Sequence, residues 1–197
     1  MSSKLDVLKE TLGKLNSGKF KYEWGRMGQC NCGIVSQVAL GESAKQVESA
    51  FEDSQVKGPW TDNLRVFDNR SMKKTCSVTG QKVFDIVKTL FNQGFTKDEL
   101  IHLEWLSDPK VRQRAQAIGK WEHQEIDQFS DHFYAIREGD SSNESRGNLK
   151  LYLAAWIQIL EEKEAKKQVK ETIVEQSISN DLKHDKKETP KTLVHEH

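Results

Sequence analysis

"VFDIVKTLFNQGFTKDEL", residues 83–100, decides how the chain is read. Val83, Ile86, Val87, Leu90 and Phe91 recur at i, i+3, i+4, i+7 and i+8, the spacing of one apolar face of an α-helix. Gly94 ends that run. Thr96 and Glu99 then spell a capping box, in which the Thr96 hydroxyl accepts from the Glu99 amide and the Glu99 carboxylate accepts from the Thr96 amide. Two successive helices joined by a short turn are thus written in eighteen residues.

Towards the C-terminus the same period continues. Leu100, Leu103, Trp105 and Leu106 form the apolar side of the second helix. In "SDP", residues 107–109, Asp108 is an N-cap and Pro109 occupies the first helical position, where its missing N–H costs nothing. Val111, Ala115 and Ile118 keep helical spacing, followed by Trp121, Phe129, Phe133 and Ile136. "GDSSNESRGN", residues 139–148, reads as a hydrophilic loop. Leu149, Leu153, Trp156 and Leu160 then make the seam of a last core helix. Beyond Glu161 the chain is rich in lysine and glutamate. Helix is expected to about Ser177 and disorder from about Ser179, where little apolar surface is left to offset the entropy of ordering.

Towards the N-terminus, Leu5, Leu8, Leu12 and Leu15 form a narrow stripe, with Ser2 or Ser3 as cap and Gly18 as stop. "KFKYEWGRMGQ", residues 19–29, shows no period and reads as a packed connector. Asn31 is the expected N-cap of a helix from Cys32 to Leu40, ended by Gly41. Ser43 opens another, with Val47, Ala50 and Phe51 on its buried side. From Gly58 to Ser77 the pattern fails, and a loop this long inside a compact domain tends to be functional or mobile. No useful β-alternation and no fixed repeat occur. The expected fold class is all-α: an irregular bundle of short helices forming a single domain over residues 1–161, with a charged extension over 162–197.

Lysine plus arginine and aspartate plus glutamate number 30 each, so the formal net charge is zero. That argues against a nucleic-acid or membrane-surface protein. No apolar run approaches the roughly 18–20 residues of a membrane span. "MSSKLDVLKETLGKL" has no apolar signal region. Three cysteines, an odd number, fit a reducing, cytoplasmic location.

The cysteines carry most of the chemical interest. Cys30 and Cys32 lie in "QCNCG" at a helix entrance, and Cys76 lies in "TCSVTG" before another. A helical first turn lowers a thiol pKa through unpaired amides and the helix dipole, so Cys32 is expected to be the most acidic of the three. Gly33 permits close approach to the backbone. Three functional readings follow. Cys30, Cys32 and Cys76 with His102 would complete a Cys3His set, for which zinc is the natural metal. The C-x-C pair could instead cycle as a strained disulfide. Cys32 could also act as a nucleophile with Gln29 as oxyanion donor and a histidine as base. Against all three stands the plain reading that cysteines are small core residues.

Other groupings are weaker. Glu99 and His102 have the E-x-x-H spacing of di-iron bundles, but the second pair such a site needs is missing from the sequence. "EHQEIDQFSDH", residues 122–132, gathers carboxylates with His123 and His132 and reads first as a solvated helix face. Arg65, Arg70, Lys73 and Lys74 make the 58–77 loop mildly basic, enough to hold an anion. Trp24 and Trp60 fall in irregular segments, where they would line a pocket or meet a partner.

"YEWGRMGQCNCG" (22–33), with "CSVTG" (76–80) and "GFTKDELIHLEWLSDPKV" (94–111), resembles a family of small uncharacterised bacterial proteins carrying a similar W-G-x-x-x-Q-C-N-C-G run. The resemblance covers about residues 20–160. It implies a bacterial, cytosolic protein and brings no activity, cofactor or partner with it. The expected function is that of a soluble helical protein-binding or interaction module. The alternative is a thiol-based protein, metal-binding or redox-active, centred on Cys30, Cys32 and Cys76.

Overall fold

The computed structural model describes residues 2–23, 26–53, 64, 83–121 and 141–184, with the side chains of the last stretch described over 146–174. Among the described residues there are seven helices and no strand, so the fold is all-α. They are α1 (Lys4–Asn16), α2 (Asn31–Leu40), α3 (Ala44–Asp53), α4 (Val83–Asn92), α5 (Lys97–Trp105), α6 (Pro109–Ile118) and α7 (Ser141–His184). The chain divides into two compact units, Met1–Ile159 and Leu160–His197.

In the first unit, α2 is the organising element. A helix that buries residues all round its axis has to be surrounded by others. Asn31, Cys32, Gly33, Ile34, Val35, Ser36 and Gln37 are all buried. Accordingly α2 packs against α1, α3, α4 and α5, and α3 also meets α4. The amphipathic helices supply the facing sides: Leu5, Val7, Leu8 and Leu15 from α1, Val47, Ala50 and Phe51 from α3, and Val83, Ile86, Val87 and Leu90 from α4. The first-unit part of α7 adds Leu149, Tyr152, Leu153, Ala155, Trp156 and Ile157. Trp156 meets Phe95 edge-on at 5.9 Å and Tyr152 at 6.1 Å, the geometry favoured by aromatic quadrupoles.

The ends of the helices follow the local signals. Ser3 and Asp6 form a capping box at α1, and Thr96 and Glu99 form another at α5. Ser43 and Gln46 exchange the equivalent bonds before α3. Asp108 accepts from the amides of Lys110 and Val111, both at 2.9 Å, with Pro109 behind it. Gly41 closes α2 in the left-handed region, at φ 69°, where a Cβ would be strained.

Several expectations are corrected. The N-cap of α2 is Cys30 rather than Asn31, whose side chain is engaged elsewhere. The 139–148 stretch is helical from Ser141. Its serines and asparagines are poor helix formers, but tertiary contacts override propensity: Asn148 is buried, and Arg146 Nη2 donates to the Leu15 carbonyl at 2.9 Å, joining the Gly18 amide as a donor to it at the end of α1. At its other end α7 runs to His184, past Ser177 and through residues 179–184. Its lysines and glutamates are good helix formers, and pairs such as Lys167–Glu171 (3.7 Å) lie at i, i+4. Leu12, Phe91 and Trp105 are only partly buried, and Ile118 is 40% exposed. The 58–77 loop lies outside the described residues except for Leu64, which is fully buried. Among the described residues no helix is long and apolar enough to cross a membrane.

Candidate functional site

The "QCNCG" turn is a junction between the connector, α2 and the exit of α5. Gly28 and Gly33 make it sterically feasible. A Cβ on Gly33 would lie 2.0 Å from the Met27 carbonyl oxygen, and one on Gly28 would lie 2.1 Å from that of Ala44. The group that approaches Gly33 is therefore the chain's own backbone. Gln37 Nε2 adds a bond to the Gly28 carbonyl at 2.7 Å.

Asn31 links the parts. Its Nδ2 donates to the carbonyls of Leu103 (3.2 Å) and Glu104 (2.8 Å), at the end of α5. Its Oδ1 accepts from the Tyr22 hydroxyl at 2.9 Å. Asn31 and Tyr22 are both buried, so each bond is made where water cannot replace it.

Cys32 is fully buried, and its thiol donates to the Leu100 carbonyl at 3.3 Å. Burial pushes this thiol well above its ordinary range, with the Glu104 carboxylate and Cys30 adding to the shift. The expectation of an acidic Cys32 is thereby overturned. Desolvation outweighs the helix dipole, because the first turn of α2 lies inside the protein. Cys30 is also buried, and its thiol points to the Met27 carbonyl at 3.5 Å. Both cysteines are thiols and not a disulfide.

His102 is partly buried on α5, and its Nδ1 lies 2.8 Å from Ser107 Oγ. Glu99, its E-x-x-H neighbour, receives Lys4 Nζ at 2.6 Å and the Thr96 amide at 2.8 Å. Both side chains therefore have structural partners. Cys32 and His102 share α5 as a neighbour and a host respectively, through the Leu100 carbonyl. Among the described residues no group of three or more histidine, cysteine, aspartate or glutamate side chains could hold a metal ion. Cys76, Trp24, Trp60 and Arg70 lie outside the described residues, as do Arg65, Lys73, Lys74 and the 122–132 stretch.

Sequence reasoning missed the Tyr22–Asn31–Glu104 chain. The signal was present in part: an asparagine between two cysteines, bracketed by Gly28 and Gly33, at the start of an apolar helix.

In the second unit, the described helix is polar with conspicuous exceptions. Val169, Ile173 and Val174 are exposed by 59%, 60% and 55%. Around them, residues 161–174 carry four glutamates (161, 162, 164 and 171) and four lysines (163, 166, 167 and 170).

Comparison of the chain with protein-family models, with curated proteins and with solved structures finds no match.

Proposed function

We propose that this chain is a protein-interaction module, and that the helix over Leu160–His184 is a surface through which it pairs with a second copy of itself. The observation that carries the reading is the exposure of Val169, Ile173 and Val174 on a helix whose other described side chains beyond Leu160 are almost all charged or polar. Apolar side chains held in water at helical spacing lose nothing by being covered and gain burial energy when they are. The charge pattern favours a like partner. Four glutamates and four lysines over 161–174 balance, so a partner of one dominant sign gains no advantage. An in-register parallel pair would set like against like, so the antiparallel, two-fold arrangement is expected.

The described thiols support this reading over the thiol-based alternative. Each donates to a carbonyl, and Cys32 is held protonated by burial. Thiols kept reduced also accord with a cytoplasmic location, and the W-G-x-x-x-Q-C-N-C-G resemblance with a bacterial source.

Sedimentation velocity over a wide concentration range tests the proposal. The full chain should shift from monomer to dimer as concentration rises, and Val169→Glu with Ile173→Glu should abolish the shift without loss of helical circular dichroism. A chain that stays monomeric throughout overturns pairing with a second copy.

A further inference from the structure

We draw no further inference here: the strongest candidate, the lysine side of the second-unit helix, where exposed Lys163, Lys166 and Lys170 recur at helical spacing beside exposed Val169 and Ile173, belongs to the pairing surface already proposed, and nothing in the structure shows what else covers it.

Discussion

Asn31 Nδ2 lies 2.8 Å from the carbonyl oxygen of Glu104, and through this bond the first turn of one helix closes the last turn of another. The carbonyls at a helix C-terminus have no partner within the helix, and here the asparagine provides one. The bond spans 73 residues of chain and is buried.

Replacing Asn31 by alanine removes three buried hydrogen bonds, from the Tyr22 hydroxyl and to the carbonyls of Leu103 and Glu104. The cost should be about 2 kcal/mol or more. For a domain of this size that lowers the melting temperature by roughly 4–8 °C. Calorimetry measures it. Asn31→Asp should be at least as harmful, because a carboxylate cannot donate to the two carbonyls. A melting temperature unchanged in Asn31→Ala would mean that the junction holds without its central residue.

Two glycine-to-alanine changes should have opposite signs. At Gly33 the added Cβ would sit 2.0 Å from the Met27 oxygen, so backbone has to move, and a loss of about 3 kcal/mol is expected. At Gly13, within α1, nothing lies within 4 Å of the added Cβ. Alanine there should stabilise by roughly 0.5–1 kcal/mol through helix propensity. Urea denaturation of the two variants checks both. Equal effects of the same sign would contradict the close approach described for the turn.

Cys32 gives the protein an alkaline weakness. Its thiol is raised in the folded chain, so the folded state holds the proton more tightly than the unfolded state, whose thiol titrates near about 8.5. The contribution to stability is full below that value and is lost as pH rises towards the folded one. Between about pH 7.5 and 9.5 the loss should be about 1 kcal/mol, and Cys32→Ala should flatten the profile. Tyr152, also raised by burial, adds a further loss only at higher pH. In the native state Cys32 should resist alkylation near neutral pH until denaturant is added. Rapid labelling under those conditions would contradict its burial.

Chelation separates the packed-turn description from the thiol-based alternative. Structural zinc contributes on the order of 10 kcal/mol to folding. With the Cys32 thiol occupied by the Leu100 carbonyl, the melting temperature should be the same with and without a strong chelator. A large fall on chelation, with metal found in the purified protein, would reinstate Cys30, Cys32, Cys76 and His102 as a set.

Much of the fold was legible because its signals are local. Thr96 with Glu99 and Asp108 with Pro109 specify helix starts within four residues, and the structure keeps them. The stripe over Val83–Leu90 does the same for burial. The start of α7 was not legible, because "SSNES", residues 141–145, has loop chemistry, and the helix there is supported by Arg146 reaching Leu15. Cys32 misled for a related reason. A helix N-terminus alone argues for a thiolate, and only the packing of α5 onto α2 reveals that this one is dry. The Asn31 bonds join positions too far apart for any periodicity to reveal them.

The first helix of the chain is completed by its last core helix. Leu15 receives Arg146, and the Lys4 ammonium lies 5.9 Å from the Trp156 ring. A ribosome adds roughly 5–20 residues each second, so α1 is made on the order of ten seconds before these partners emerge. During that interval Leu5, Leu8 and Leu15, buried in the finished protein, have no completed core to enter. Folding of this unit is therefore a late event in synthesis. Until α7 emerges, α1 is an apolar segment that a holding chaperone would recognise.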